Sequence, residues 1–410
     1  MKILFISHLL PYPLRTGAAL RNHGEIRELS RRNELDILSF SQKVLIPERE
    51  LLEESIAETR KICRSIEVLP IPTDCSKLSW YVLLFFNLFS STPYSVWRFC
   101  SRKMAQRIAD KCREENYDLV HIDTIALAQY HSYCGNSKLV LNHHNLESLI
   151  LVRRAVIETN WFRRAYIALQ AKKLMRYEKK MTRKFALNVC VSERDCQSLE
   201  NMVPGIETLV VPNGTDTEYF CPAPRAANGE EERESELIFV GGMTWFPNLD
   251  AMLWFCEDIF PLIKQKVPGV AFSIIGAAPS SELREIATKD GGIRLLGIVD
   301  DIRPYVARAT VFVVPLCLGG GTRLKILDAM ASGKAIVSTT IGAEGLSVTP
   351  GKDIAIEDQA ERFAQATVDL IFDKEKRQMM ERDARSTAER LYSWNVIGPL
   401  QEQAYKKLVV

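Results

Sequence analysis

The sequence predicts an α/β protein with two doubly wound, parallel-sheet domains in tandem, and three observations lead to this prediction. The chain has 410 residues, enough for two domains that each bury a core of their own. Short apolar segments alternate with longer helical stretches, which is typical of parallel βαβ units. This alternation stops once, between Tyr219 and Glu236, in a stretch rich in Glu and Pro, and then begins again.

Twelve apolar segments have the composition of β-strands, seven before the interruption and five after it. They begin at Lys2, Leu35, Ile66, Asp118, Lys138, Ala186 and Thr208, and then at Glu236, Val270, Ile293, Thr310 and Lys334. We therefore expect an N-terminal domain over 1–217, a linker over 218–235 and a C-terminal domain over 236–385. A last helical stretch, 386–408, has an apolar face that must pack against the rest of the protein.

The overall composition excludes several classes of protein. With 47% hydrophobic and 25% charged residues the chain has ordinary globular values, and its net charge of +2 gives no reason to expect a nucleic-acid partner. The ten cysteines form no CxxC pair and have no histidine at metal-ligand spacing. The first residues lack the features of a signal peptide. These observations predict a protein of the reducing cytoplasm.

Two segments each have two interpretations. Residues 78–97 carry no charge over a length that would span a bilayer, although polar residues confine the strongly apolar part to 80–89. Residues 151–184 hold eleven Lys and Arg against two Glu, with aromatic residues among them. The first segment is either buried or a lipid contact, and the second is either a solvated helix or a docking face for anionic lipid. The lipid interpretations predict a peripheral protein on the inner face of the cell membrane.

The sharpest motif lies within residues 313–346, where an apolar strand ends, three glycines follow and a helix begins near Thr322. Gly319, Gly320 and Gly321 allow backbone amides to approach an anion closely, and the start of the helix adds partial positive charge. Three glycines alone would also fit a flexible turn. The combination with a strand end and a helix start favours a phosphate or diphosphate site.

Three charged residues follow these glycines. Arg323 and Lys325 lie in the first turn of the expected helix and provide two cations for a diphosphate. Asp328 lies on the same helix, where a carboxylate either complements the helix dipole or accepts both hydroxyls of a ribose. The chain has no GxGxxG after its first strand, which disfavours a dinucleotide oxidoreductase, and no GxxxxGK[ST], which excludes a P-loop kinase.

Several segments together resemble a known family. They are PYPLRTGAALR from Pro11, HHNLES from His143, CVSERD from Cys190, VVPNGTD from Val210, GGMTWFPNLDA from Gly241, GGGTRLKILDAMASGKAIVST from Gly319, and SW from Ser393. Over nearly its whole length the chain resembles retaining glycosyltransferases of the GT-B fold, within these family 4 (group 1), in the bacterial branch that builds surface polysaccharides and glycolipids. The resemblance implies two Rossmann-like domains that face a central cleft, with the last helix, 386–410, crossing back to the N-terminal domain.

The resemblance also implies a function for this chain, which is the transfer of a sugar from a nucleotide-sugar donor, UDP- or GDP-linked, to a hydroxyl of a lipid-linked or polysaccharide acceptor. The donor would lie mainly on the C-terminal domain and the acceptor on the N-terminal domain. Arg323 and Lys325 would bind the diphosphate, and Asp328 would bind the ribose. Gly17 would let the backbone approach the phosphates or the donor sugar. His144 would contact the donor sugar or the reacting groups.

The sequence departs from the family pattern in two places. Many members have a glutamate where this chain has Gly320, so selection of the sugar must come from the backbone around Gly319–Thr322 or from another side chain. Members also place Arg and Lys in the turn after the first strand of the second domain, whereas this turn has Gly241 and Gly242 and no cation. These two glycines still allow close approach of the donor. We infer that the two cations beyond the later glycine loop replace the missing pair.

The expected mechanism is a front-face displacement, in which the leaving diphosphate takes the acceptor proton. Arg323, Lys325 and His144 are then the catalytic residues, because the two cations stabilise the charge that develops on the diphosphate. No metal and no further cofactor is expected, since two cations neutralise the diphosphate and no DxD-like pair is placed for Mg²⁺. His143 fits a strand-end cap better than a ligand. Two alternatives stay open: a transferase-like subunit that only binds a partner or lipid, and a nucleotide-sugar epimerase on the same fold.

Overall fold

The computed structural model describes residues 1–14, 16–74, 77–223, 235–319 and 322–409, with only the backbone of 77–81. The chain divides into two compact units. Unit 1 comprises Met1–Pro212 with Ile397–Val410, and unit 2 comprises Asn213–Val396. Each unit contains one parallel sheet with helices between its strands, so the prediction of two doubly wound α/β domains is confirmed.

Unit 1 has a seven-stranded parallel sheet. Its strands are β1 (Lys2–Ser7), β2 (Glu34–Ser41), β3 (Ser65–Pro70), β4 (Leu119–Ile122), β5 (Lys138–His143), β6 (Leu187–Cys190) and β7 (Thr208–Val210). Its helices are α1 (Gly17–Ser30), α2 (Arg49–Arg60), α3 (Lys77–Asn87), α4 (Tyr94–Arg98), α5 (Arg102–Glu114), α6 (Glu147–Ile157), α7 (Trp161–Thr182) and α8 (Glu193–Met202), with a 3-10 segment at Ile125–Tyr133. The strand order is β3-β2-β1-β4-β5-β6-β7. The order reverses between β1 and β4, which is where open α/β sheets bind ligands.

Unit 2 has a six-stranded parallel sheet. Its strands are β8 (Glu236–Val240), β9 (Ala271–Ile275), β10 (Ile293–Gly297), β11 (Val311–Val314), β12 (Ile336–Ser338) and β13 (Ala355–Ile356). Its helices are α9 (Phe246–Trp254), α10 (Phe260–Lys266), α11 (Ser281–Lys289), α12 (Arg303–Arg308), α13 (Leu324–Ala331), α14 (Ala360–Phe372) and α15 (Lys374–Thr387). The strand order is β10-β9-β8-β11-β12-β13, and it reverses between β8 and β11.

The strands read as continuous apolar runs because both faces of each sheet are covered. All four residues of β11 are buried, and so are five of the six residues of β1. In unit 2 a cluster of phenylalanines fills the space between the sheet and its helices, with the rings of Phe255 and Phe272 4.5 Å apart between centroids. No helix among the described residues is both long and apolar enough to cross a membrane.

Several boundaries differ from those that the sequence predicts. The helix expected over 248–266 is two helices joined by a wide π turn at Phe255–Ile259. The helix expected from Thr322 begins at Leu324, because Arg323 has the extended backbone of an N-cap residue, with φ −94° and ψ 97°. Most of the expected linker, residues 224–234, lies outside the described residues.

The last helix, α16 (Trp394–Val409), spans the boundary between the two units, and its larger part belongs to unit 1. Within unit 1 its Tyr405 hydroxyl lies 2.8 Å from Nδ1 of His121 on β4. Glu402 accepts a hydrogen bond from Arg32 at 3.2 Å. The stretch 386–396, which we expected to belong to this helix, contains the end of α15 and a π turn at Ala388–Tyr392, and it groups with unit 2.

The contact between α16 and α1 gives a test of this arrangement. A Cβ atom at Gly398 would lie 2.5 Å from Cβ and 2.8 Å from Cγ of Glu28, which is buried on α1. We expect Gly398→Ala to lower the free energy of unfolding by about 1–3 kcal/mol and to reduce the melting temperature, because the two helices must move apart. Gly269→Ala is the matched control, since a Cβ atom at Gly269 meets nothing within 4 Å. Equal melting temperatures for both variants would contradict the described packing.

Candidate functional site

In unit 2 the predicted site residues gather at the point where the strand order reverses. Gly241 and Gly242 follow β8, and Gly319 follows β11, so both glycine turns lie at the carboxyl edge of neighbouring strands. Arg323 and Lys325 follow the second turn and enter α13. Gly320 and Gly321, which the sequence also predicts as phosphate-binding residues, lie outside the described residues.

The ammonium group of Lys325 reaches back from α13 to the first glycine turn. Its Nζ lies 3.9 Å from the centroid of the Phe239 ring on β8 and donates a hydrogen bond to Oδ1 of Asn248 at 2.8 Å. The Asn248 amide in turn donates to the carbonyl oxygen of Gly242 at 2.8 Å. Burial lowers the pKa of Lys325 well below its ordinary value, and Arg323 adds to this shift.

Glycine is required at the turn after β8 because other groups occupy the space of a side chain. A Cβ atom at Gly241 would lie 2.5 Å from the Lys325 ammonium and 2.7 Å from the amide nitrogen of Asn248. On the other side, a Cβ atom at Gly276 would lie 2.0 Å from the carbonyl oxygen of Gly241. The absence of a side chain at Gly241 therefore leaves space for the ammonium group of Lys325 from α13.

Arg323 is buried, with 5% of its surface exposed, and lies against the second glycine turn. Its guanidinium carbon is 5.2 Å from the centroid of the Trp245 ring. Gly319 has φ +126°, in the region that favours glycine, and a Cβ atom there would clash with Nη2 of Arg323. Both cations thus pack against a glycine that leaves them space.

Asp328 and Thr322 each have a partner from the first residues of unit 2. The Asp328 carboxylate accepts a hydrogen bond from the hydroxyl of Thr215 at 2.7 Å. The amide of Asn213 donates a hydrogen bond to the hydroxyl of Thr322. Burial raises the pKa of Asp328 from its ordinary value to about 7. The segment after β7 therefore lines the same loop and helix start as the predicted phosphate-binding residues.

In unit 1 a buried carboxylate connects three strand ends. Asp123 follows β4, His8 follows β1 and His144 follows β5. The two oxygens of Asp123 lie 2.7 Å from Nδ1 of His8 and 2.7 Å from Nε2 of His144, and Asn22 on α1 donates a further hydrogen bond at 2.7 Å. Burial alone would raise the pKa of Asp123, but His144 and His8 outweigh burial and hold that pKa well below its usual range.

The other residues predicted in unit 1 have clear positions. Gly17 is the exposed first residue of α1, directly after Thr16, whose hydroxyl caps the helix by accepting the amide hydrogen of Ala19 at 3.2 Å. His143 is buried, and its Nε2 lies 3.3 Å from Oδ1 of Asn188 on β6. Burial lowers the pKa of His143 to about 4. His143 is therefore enclosed by the protein, whereas the ring of its neighbour His144 contacts Asp123.

Sequence reasoning missed His8 and Asp123. The signal that would have found them is their position, since each directly follows an apolar strand. Those two strands become neighbours only through the crossover that places β4 beside β1. One ring nitrogen of His8, one ring nitrogen of His144 and one carboxylate oxygen of Asp123 also lie within 4.8 Å of one another.

Two family models match the chain. The model described as "Glycosyltransferase Family 4" matches residues 16–219, and the model described as "Glycosyl transferases group 1" matches residues 234–373. The chain belongs to glycosyltransferase family 4 (group 1). The resemblance that the motifs indicate is therefore confirmed at the level of the family.

Two relatives of this family 4 chain are named as mannosyltransferases of phosphatidylinositol lipids. One is a phosphatidyl-myo-inositol mannosyltransferase of Mycolicibacterium smegmatis, 27% identical over 49% of this chain and 52% of the relative. Another is a GDP-mannose-dependent α-(1-6)-phosphatidylinositol monomannoside mannosyltransferase of Mycobacterium tuberculosis, 24% identical over 48% of this chain and 54% of the relative. The match thus spans about half the length of these relatives.

Solved structures show the same fold over the whole family 4 chain. Sucrose-phosphate synthase from Thermosynechococcus elongatus has a TM-score of 0.72 and 16% identity, covering 100% of this chain and 99% of that chain. Anabaena HepE in complex with UDP has a TM-score of 0.69 and 16% identity, covering 99% and 100%. These are glycosyltransferases of the GT-B type in fold, which confirms the predicted fold class.

The raised pKa of Asp328 leads to a prediction about stability. The unfolded carboxyl ionises near its ordinary pKa of 3.8, whereas the folded carboxyl ionises near 7, so the folded state binds the proton more tightly. This contribution to stability is complete below about pH 4 and is lost as the pH rises through about 7. Asp328→Asn keeps an oxygen for Thr215 and does not ionise.

We therefore expect Asp328→Asn to melt at a higher temperature than the wild type above pH 7 and at the same temperature near pH 4. The measurement is thermal unfolding of the nucleotide-free protein over this pH range. Asp258→Asn, at an exposed position of the same unit, is the control. A difference between wild type and Asp328→Asn that does not change with pH would show that the carboxyl is not held in its neutral form.

Proposed function

We propose that this protein transfers a sugar from a nucleotide-diphosphate donor to a hydroxyl of a glycolipid or polysaccharide acceptor, with retention of anomeric configuration and without a metal ion. The observation that carries the proposal is the pair of cations Arg323 and Lys325, which lies at the strand reversal of unit 2 against two glycine turns. Sugar transfer creates negative charge on the leaving diphosphate. Fixed cations beside close-approaching backbone supply the stabilisation that this step needs.

The pKa of Lys325 supports a role toward an anion. Burial disfavours its charged form in the free protein. A bound diphosphate would favour the charged form again, since opposite charges at short range raise the pKa of a lysine. Arg323 remains charged at every ordinary pH and has the planar donors that match phosphate oxygens. The two side chains therefore suit one diphosphate, and no metal ion is needed to neutralise it.

We propose roles for the other predicted residues of each unit as well. We assign Asp328 to the ribose hydroxyls, and Gly241, Gly242 and the loop from Gly319 through Thr322 to the phosphates and donor sugar. In unit 1 we assign Gly17 to close backbone approach and His144 to hydroxyl contact at the reacting sugar. The donors to test first are GDP-mannose and UDP-glucose, because one relative is named as GDP-mannose-dependent and HepE was solved with UDP.

The cation pair gives the first test of this function. Release of nucleotide from GDP-mannose and UDP-glucose is measured with and without glycolipid acceptor, and with EDTA. We expect acceptor-dependent release that EDTA does not change. We expect Arg323→Ala and Lys325→Ala each to lower kcat/KM by about 100- to 1,000-fold, the size of effect seen when one oxyanion donor is removed. Lys352→Ala, at an exposed lysine of the same unit, should behave like the wild type.

The outcomes of this experiment separate the candidate functions. Wild-type activity in both variants would overturn the role of the cations, provided that both variants melt like the wild type. Interconversion of the donor sugar without acceptor would identify an epimerase. Failure to bind UDP, GDP, ADP, CMP or dTDP in a calorimetric screen would favour a subunit that binds without catalysis.

We further propose that unit 1 docks on an anionic membrane, where a glycolipid acceptor resides. Trp161 and Phe162 at the start of α7 are 66% and 65% exposed, and their rings stack at 3.4 Å. Exposed Val156 and Ile157 precede them at the end of α6. Large apolar side chains in such a group at the surface mark an interaction site.

A second group of exposed aromatic residues is tied to α7. Phe85, Phe86 and Phe89 are exposed at and beyond the end of α3. The Asn87 carbonyl accepts a hydrogen bond from Lys173 of α7 at 2.7 Å, and the Asn87 side chain accepts one from Gln170 of α7 at 2.9 Å. These polar contacts hold the two apolar groups on neighbouring elements of one unit.

Basic residues accompany the aromatic ones on α6 and α7. Exposed positions of these helices include Arg153, Arg154, Arg163, Arg164, Lys172, Arg176, Lys179 and Lys180. Each basic residue near an anionic surface adds about 1 kcal/mol of attraction. Exposed aromatic rings beside arginines are the composition of an interfacial helix, so an anionic lipid surface fits this face by both charge and apolarity.

Sedimentation with vesicles tests the membrane contact. We expect the protein to pellet with vesicles of phosphatidylglycerol and phosphatidylcholine at low salt, and not with phosphatidylcholine alone. Trp161→Ser with Phe162→Ser, and separately Arg163→Glu with Arg164→Glu, should each release the protein into the supernatant. Phe372→Ser removes an equally exposed aromatic residue, 66% accessible, from unit 2 and should have no effect. Failure of the wild type to pellet would remove this proposal without affecting the transferase assay.

A further inference from the structure

The group around Asp123 fixes the orientation and the protons of two imidazole rings. An ionised carboxylate has no hydrogen to donate, so each ring nitrogen that faces it must carry the proton. These are Nδ1 of His8 and Nε2 of His144, each 2.7 Å from its own oxygen of Asp123. A neutral imidazole carries one proton only. In the neutral form of the two rings, the outer nitrogens, Nε2 of His8 and Nδ1 of His144, are then left as hydrogen-bond acceptors.

The two rings stand side by side and remain accessible. Their centroids are 5.6 Å apart with the planes nearly perpendicular. The side chain of His8 is 17% exposed and that of His144 is 16% exposed, while Asp123 has no exposed surface. A ligand therefore meets the imidazoles and not the carboxylate that orients them.

The geometry points to His8 as a second hydroxyl-binding side chain beside His144. Asp123 is the positioning residue, because it leaves the outer nitrogens of both rings as acceptors. The two outer nitrogens together bind two hydroxyls of one cyclic polyol. Hydroxyl groups donate hydrogen bonds to such nitrogens. A fully ionised phosphate or carboxylate has no proton for them and is repelled by Asp123. The inference rests on the proposed function, because a sugar is the polyol that a glycosyltransferase of this family handles.

Two substitutions of His8 separate its inner nitrogen from its outer one. The amide nitrogen of Asn takes the place of Nδ1, so His8→Asn keeps the donor to Asp123 and removes the outer acceptor. The amide group of Gln takes the place of Nε2, so His8→Gln keeps a polar group outside and removes the donor to Asp123. If His8 only supports Asp123, His8→Asn is active and His8→Gln is impaired.

If His8 binds a hydroxyl, His8→Asn lowers kcat/KM about tenfold or more, as expected for one lost hydrogen bond. A rise in KM for the donor with unchanged KM for the acceptor assigns the hydroxyl to the donor sugar, and the reverse assigns it to the acceptor. His131→Gln is the control, because Nδ1 of His131 lies 3.1 Å from the carbonyl oxygen of Ala128 within its own 3-10 segment, away from Asp123. Wild-type kinetics in His8→Asn would overturn the inference.

A measurement independent of activity uses protein labelled with ¹⁵N at its histidines. The wild type at pH 7.5 should show one ring protonated at Nδ1 only, assigned by its loss in His8→Asn, and one protonated at Nε2 only, assigned by its loss in His144→Gln. Asp123→Asn should change the tautomer of at least one of them, since an amide presents a donor to one ring. Rings that carry both protons would overturn the acceptor role.

Titration with two polyols completes the test. Methyl α-mannoside represents the donor sugar, and myo-inositol represents an acceptor headgroup. We expect one of these two polyols to shift the resonances of the outer nitrogens of His8 and His144 in the wild type. In His8→Asn the same polyol should leave the outer-nitrogen resonance of His144 unchanged. No shift with either polyol up to saturating concentration would overturn the inference. Polyol-dependent shifts in a protein that transfers no sugar would instead support this site and reject the proposed function. Shifts that appear only with added Zn²⁺ would replace the polyol site by a metal site.

Discussion

The positions of the functional side chains depend on the parallel arrangement of the strands. In a parallel sheet all carboxyl ends lie at one edge, and a reversal of strand order separates the loops that follow two neighbouring strands. In unit 1 this happens between β1 and β4, and His8 and Asp123 follow these strands. In unit 2 it happens between β8 and β11, and the two glycine turns follow these strands. Residues that are far apart in sequence meet there for topological reasons.

The same edge has opposite electrostatic character in the two units. In unit 1 a buried carboxylate is surrounded by donors and orients two imidazoles, which suits neutral hydroxyl groups. In unit 2 two cations lie against glycines and aromatic rings, which suits an anion. A nucleotide sugar combines these chemistries, since its diphosphate is anionic and its sugar is neutral. Under the proposed function, each unit by itself would offer the chemistry for one part of such a substrate.

The sequence was sufficient to predict the fold class, while the roles that it predicts for the unit 2 residues stay predictions. Strand composition and alternation predict both sheets, and the motif around Arg323 and Lys325 predicts the cation pair. The inference that these cations replace a missing pair gains support from the place of the Lys325 ammonium, which fills the space above Gly241. That contact depends on α13 passing beside the end of β8, which local sequence does not specify.

The site of unit 1 shows why other site residues could not be predicted from the sequence. The sequence points to His144 because this residue lies at the start of a recognisable motif, whereas His8 and Asp123 are single polar residues after ordinary apolar strands. These two residues come together only because β1 pairs with β4. More than a hundred residues separate His8 from Asp123 in the sequence. The sequence also predicts the start of α13 two residues too early. Nothing in the sequence indicates that Arg323 has an extended backbone and precedes the helix, which begins at Leu324.

Burial perturbs the pKa of one base and one acid at the proposed site of unit 2, Lys325 and Asp328. Burial disfavours the charged form of Lys325 and the charged form of Asp328, so both groups are less stable as ions in the free protein than in water. Structural ion pairs would relieve this cost by pairing the two groups, yet Lys325 contacts Asn248 and Asp328 contacts Thr215. Groups kept apart and partly desolvated in this way gain most when a partner of matching chemistry arrives, such as a diphosphate for the lysine and a pair of hydroxyls for the carboxylate. Under the proposed function, a bound nucleotide would supply both of these partners.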